Sequence, residues 1–124
     1  MRRRPRLAAT SVLLLVLPLA DCRQRPDAAV AIGDPEEGAA LLAVHGCGAC
    51  HMIPGVTGAD GTIGPPLDGF ATRTFIAGKL PNQFDALTRW IRNPQAIEPG
   101  TAMPTLPVNE AEARAMAAYL YTLR

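Results

Sequence analysis

The 124-residue sequence is poor in the side chains that usually build a small core, with one Trp, two Tyr and three Phe beside only three Cys and two His. Three cysteines cannot make a dense disulfide framework. Basic charge is scarce away from the N-terminus. Arg2, Arg3, Arg4 and Arg6 hold a third of the 12 basic residues, and residues 22–124 carry eight basic against ten acidic side chains. With no surplus of cations to neutralise a row of phosphates, a nucleic-acid partner is excluded. The longest largely apolar run, Leu7–Ala20, has 14 residues, fewer than the ~20 that span a bilayer.

That run follows the arginine cluster and ends at Asp21 and Cys22, which is the shape of an export signal. Residues 1–21 are expected to be a signal peptide or anchor, residues 22–33 a tether, and residues 34–124 one folded domain. Leu19-Ala20-Asp21-Cys22 also resembles a bacterial lipoprotein signal, with Asp21 where a small residue is usual. The expected location is the bacterial periplasm or the outer face of the cytoplasmic membrane. Cys22 is the candidate lipid attachment point, and the N-terminus is the expected membrane contact. A domain of this size with so few aromatics makes a thin core, so a staple is needed.

Asp34-Pro35-Glu36-Glu37 supplies an N-cap, a first-turn proline and first-turn acids. The helix that follows places Gly38, Leu41, Leu42 and His45 on one face and meets a stop at Gly46. From Pro54 to Lys79 the chain is rich in Gly, Pro and Thr and has no sustained period, the signature of a loop ordered by something else. Asn82 is expected to cap a second helix running through Arg92, with a stripe of Phe84, Leu87, Trp90 and Ile91 and a stop at Pro94. Asn109 and Glu112 cap a third, lined by Ala113, Met116, Ala117, Leu120 and Leu123. The pattern predicts an all-α domain of three main helices and long loops, with no strand pair.

Cys47-Gly48-Ala49-Cys50-His51 is the C-x-x-C-H pattern of c-type haem attachment. Two thiols three positions apart can add to the two vinyl groups of one haem, and the next residue brings its imidazole under the iron. Rival chemistries fit less well. A thioredoxin-like pair should follow a buried strand and open a helix, whereas this one closes a helix. A zinc site needs four good ligands, and only His45 and Cys22 remain to complete it. A Cys47–Cys50 disulfide would constrain almost none of the loop.

The opposite axial position has few candidates. Met52 adjoins His51 and cannot reach round, while Met116 lies on the core stripe of the last helix as a packing residue. His45 sits on the attachment side. Met103 lies in a loop rich in Pro and Gly, with no periodic reason to be buried, and is the candidate sixth ligand beside His51.

These residues, together with Gly64-Pro65-Pro66-Leu67-Asp68-Gly69, Arg73, Trp90-Ile91-Arg92-Asn93-Pro94, Pro99-Gly100-Thr101-Ala102-Met103-Pro104 and Ala118-Tyr119-Leu120, resemble the small bacterial class I cytochromes c over residues 34–124. The resemblance implies a cytochrome c-like fold wrapped around one haem c, held covalently by Cys47 and Cys50. It implies that the Pro65 carbonyl accepts the His51 imidazole N–H, that Arg73 pairs with a haem propionate, and that Gly38 or Ala39 lies near Tyr119 where the first and last helices cross. Its function would be transfer of single electrons between larger redox proteins: a terminal oxidase, a cytochrome bc1-type complex or a periplasmic dehydrogenase. A fixed subunit of an oxidase or dehydrogenase complex is the alternative, as is a haem enzyme with a labile distal site. The loop around Met103 offers no distal acid or base for the last of these.

Overall fold

The first helix begins where the sequence caps it, with the Asp34 carboxylate accepting the Glu36 N–H at 2.9 Å and Pro35 in the first turn. The computed structural model describes residues 32–124. The expected leader, Cys22 and all but the end of the tether lie outside the described residues. Those described form α1 (Pro35–Val44), β1 (Phe75–Ile76), β2 (Leu80–Pro81), α2 (Phe84–Arg92), α3 (Pro94–Ile97) and α4 (Glu110–Leu120), with single 3-10 turns at Cys47–Ala49 and Phe70–Thr72. At the end of α1, Gly46 takes the left-handed conformation (φ 70°) and turns the chain into the Cys47 turn.

Helix α4 opens with a reciprocal capping box: Asn109 Oδ1 accepts the Glu112 N–H at 3.0 Å, and Glu112 Oε2 accepts the Asn109 N–H at 2.8 Å. Its Ala113, Met116, Ala117 and Leu120 are buried and meet α1 on one side and α2 on the other. Gly38 is the reason α1 and α4 pack so closely, because a β-carbon there would overlap the backbone carbonyl of Ala115. The Tyr119 hydroxyl donates to the Pro54 carbonyl at 2.6 Å, across the seat occupied by Gly55.

Other local expectations are corrected. Gln83, not Asn82, is the N-cap of α2. Asn82 Nδ2 instead donates to the carbonyls of Phe70 (2.9 Å) and Arg73 (3.0 Å), and its Oδ1 accepts from the Tyr121 hydroxyl at 2.8 Å. Helix α2 does run through Arg92 and stop before Pro94 as expected. Pro94 then opens α3, because the Asn93 side chain accepts the Ala96 N–H and restarts the helix after a break at Asn93. Leu123 lies beyond α4, where its carbonyl accepts the Ala71 N–H at 2.9 Å.

A hairpin also interrupts the long loop. Ile76 pairs with Leu80 and Phe75 with Pro81, antiparallel, and the Lys79 N–H donates to the Ile76 carbonyl at 3.0 Å. Ala77 (φ 52°) and Gly78 (φ 69°) are both left-handed, the geometry of a type I′ turn. With alanine at its first central position and two-residue strands, the turn carries neither the usual Asn-Gly signal nor an alternating run.

Candidate functional site

Between Cys47 and Leu67 the chain folds back on the pentapeptide through main-chain bonds. His51 N–H donates to the Cys47 carbonyl at 3.0 Å, Gly61 N–H to Gly48 at 3.0 Å, Gly64 N–H to Cys50 at 2.7 Å, and Leu67 N–H to Met52 at 2.8 Å. Met52 and Asp60 add an isolated antiparallel bridge. Glycine makes each approach feasible. A β-carbon on Gly48 would stand 2.6 Å from Ala59 Cα, one on Gly61 2.5 Å from the Ala49 carbonyl oxygen, and one on Gly64 2.7 Å from His51 Nδ1. The His51 ring therefore lies flush against the Gly64 backbone. That packing role has no signal in the sequence beyond the place of Gly64 in the Gly64-Pro65-Pro66 stretch.

His51 Nδ1 is 2.7 Å from the Pro65 carbonyl oxygen. A carbonyl only accepts, so Nδ1 carries the proton and Nε2 keeps its lone pair for a metal. Burial pushes the Cys47 thiol above its ordinary value, a backbone hydrogen bond partly opposes that, and nearby Cys50 adds to the rise. A free Cys47 is thus held as a protonated, apolar thiol. Cys47 and Cys50 are both unpaired.

These groups open into a cavity of about 470 Å³, within the ~300–1,000 Å³ of cofactor sites. Cys47, Cys50, His51, Pro65, Arg73 and Met103 all line it. Met116 and His45 do too, but Met116 is fully buried within α4 and His45 is the C-cap of α1. Buried Leu42, Leu67, Ile76, Leu87 and Leu120 supply apolar wall. The donor set suits a haem: two thiols and an oriented imidazole on one side, a soft thioether from another segment, and apolar surface between. Arg73 Nη2 donates to the Asp68 carbonyl at 3.0 Å and to the Pro66 carbonyl, with the guanidinium over the Phe70 ring. Its Nη1 and Nε make no hydrogen bond among the described residues.

The segment carrying Met103 is held by side chains. Gln95 Nε2 donates to the carbonyls of Thr101 (2.7 Å) and Met103 (3.1 Å), while its Oε1 accepts the Gly100 N–H at 3.1 Å. The Glu98 carboxylate oxygen that is shielded from solvent meets Lys79 Nζ, joining this segment to the hairpin turn. Sequence reasoning missed Gln95, whose only local signal is its place at the start of a short helix before a Pro-Gly loop.

The family model for cytochrome c matches residues 35–124. Cytochrome c oxidase subunit 2 of Alkalihalophilus pseudofirmus is 35% identical over 89 residues, 71% of this chain and 25% of the relative; the chain thus spans about a quarter of that protein's length. In fold, the chain resembles cytochrome c2 from Rhodobacter sphaeroides with a TM-score of 0.57 and 22% identity, covering 73% of this chain and 96% of that one.

Proposed function

The chain belongs to the cytochrome c family, and from that premise we propose that it is a monohaem c-type cytochrome whose iron is held between His51 and Met103. Thioether bonds from Cys47 and Cys50 would fix the haem, which when bound supplies reversible one-electron chemistry between ferric and ferrous iron. The observation that carries this reading is the convergence of the C-x-x-C-H turn and Met103 on one apolar cavity.

The chain's own residues then have defined tasks. Pro65 holds the His51 Nδ1 proton, which fixes the tautomer and strengthens Nε2 as a donor. Met103 offers a soft thioether, which favours the reduced metal and raises the potential relative to a second histidine. Arg73 would pair with a propionate. The apolar walls limit water at the site, and exposed Ile63 and Phe75 at the cavity lining offer a partner a short approach.

Partners on this reading are larger redox proteins on the outer side of the bacterial cytoplasmic membrane. The relative's identity as an oxidase subunit favours a terminal oxidase as acceptor, either as a free partner or within one complex. The test is the spectrum of protein exported in a host with haem-attachment machinery. Haem should survive acid-acetone extraction, and ferric protein should show the weak long-wavelength charge-transfer band of methionine ligation. In Met103→Ala that band should vanish, the potential should fall and ferrous protein should bind carbon monoxide readily, while Met116→Leu keeps the band. Loss of the band from Met116→Leu alone would reassign the ligand.

A further inference from the structure

The segment that presents Met103 has little structure of its own. No main-chain to main-chain hydrogen bond involves residues 102–105 among the described residues, and the Met103 N–H reaches only Thr101 Oγ1 at 3.4 Å. A loop so sparsely tied samples many conformations, and each one populated away from the site lowers the fraction of thioether in place. Gln95 offsets this. Its side-chain amide uses both N–H donors and its oxygen on three main-chain groups of one short loop: the carbonyls of Thr101 and Met103 and the N–H of Gly100. The amide orientation is unambiguous, because the flipped form would set oxygen against two carbonyl oxygens and NH2 against an N–H. The platform is itself fixed, since Gln95 sits in the first turn of α3, which Asn93 caps.

We infer that Gln95 is a positioning residue: it pins the carbonyls on either side of Ala102 and so sets the Met103 thioether in the cavity wall. The inference rests on the reading of Met103 as the sixth ligand. Nothing in Gln95 touches the iron site directly. It acts by confining the backbone, so its removal should raise the population of methionine-off iron rather than change the identity of the ligand.

The haem-loaded full chain tests this with three variants. Gln95→Glu keeps length and shape but turns a carboxylate oxygen toward the Thr101 and Met103 carbonyls, and Gln95→Met removes all three hydrogen bonds at similar volume. Both should weaken the methionine charge-transfer band and lower the potential, and carbon monoxide should bind the ferrous form about tenfold faster, as expected for the loss of two or three hydrogen bonds from the ligated state. A purely structural role would lower the melting temperature and leave the band, the potential and the carbon monoxide rate unmoved.

Met103→Leu separates the two ideas. If it abolishes the band while both Gln95 variants keep wild-type band and rate, the clamp is refuted and the ligand reading stands. If Met103→Leu keeps the band, the ligand reading falls and takes the clamp with it. Should the Gln95 variants fail to load haem, nuclear magnetic resonance of the wild-type protein decides. A slowly exchanging pair of Gln95 side-chain amide protons close to Thr101 and Met103 supports the clamp, and a rapidly exchanging pair overturns it.

Discussion

The two sides of the cavity are built from different materials. Behind His51, residues 47–67 are joined by main-chain hydrogen bonds, and the close approaches pass over Gly48, Gly61 and Gly64. Around Met103 the polar ties to the loop backbone come from the side chains of Gln95 and Thr101, with the Lys79–Glu98 ion pair added at one end. A main-chain lattice resists most substitutions, because almost any side chain leaves N–H and C=O in place, and it fails only where a glycine must be bare. A side-chain lattice can be loosened one residue at a time. The attachment side is therefore rigid and brittle, and the methionine side adjustable.

The largest expected effect comes from removing what the attachment side is built to hold. In Cys47→Ala with Cys50→Ala the long loop should lose the proposed haem, and most of the helical circular dichroism should go with it, because the domain has too few apolar residues to order the loop alone. A natively helical double mutant would show that the main-chain lattice folds by itself.

Gly64→Ala comes next. Its methyl group would stand in the His51 ring, so overpacking should cost about 3 kcal/mol. Haem staining of the exported protein should drop sharply. The same change at Gly58, where a β-carbon meets nothing within 4 Å though φ is 73°, should preserve haem loading.

On the methionine side, Asn93→Ala removes the cap of α3 and should cost about 1 kcal/mol. Because α3 carries Gln95, a partial loss of the methionine band should accompany that cost, and thermal melts with the ferric spectrum check both. If Asn93→Ala and Gly64→Ala damage haem loading equally, the contrast between the two sides collapses.

Tyr121→Phe provides the smallest effect, on a strut away from both His51 and Met103. It loses the bond to Asn82 at a cost under about 1 kcal/mol. Burial pushes the Tyr121 phenol up from its ordinary value of 10.0. The neutral phenol thus contributes stability that is fully present below that value and lost as pH rises through the higher folded one. Alkaline melts should show this loss in the wild type and not in the phenylalanine variant.

What was legible in the sequence was what neighbours in sequence decide. Asp34 and the Asn109–Glu112 pair announce their helices because a cap and its target lie within one turn, and the C-x-x-C-H spacing states its chemistry in five residues. Cys47, Cys50, His51 and Met103 could be nominated from such spacings and Pro65 and Arg73 from the family resemblance, and all of them line one cavity. Asn82 shows where this stops. Its sequence neighbourhood favours a helix cap, but three distant groups, the carbonyls of Phe70 and Arg73 and the Tyr121 hydroxyl, claim its amide first. The hairpin at Ala77 and the hold of Gln95 on its loop escaped for a different reason. Their partners are near in sequence, but an alanine at the turn and a glutamine in the first turn of a short helix carry none of the usual turn or cap signals.

The seat of Gly38 against Ala115 also sets an order of events in time. In a chain transferred across a membrane from its N-terminus, as the expected leader implies, helix α1 would emerge early and the surface it must grip only near the far end of the domain. Until Leu120 has emerged, α1 lacks that partner, and the cysteines just beyond it stand on an open chain. On the proposed reading both thiols would meet haem in that open state, and docking of α4 would follow attachment. A substitution that slowed this clasp without weakening it would delay closure while leaving attachment and the finished protein unchanged.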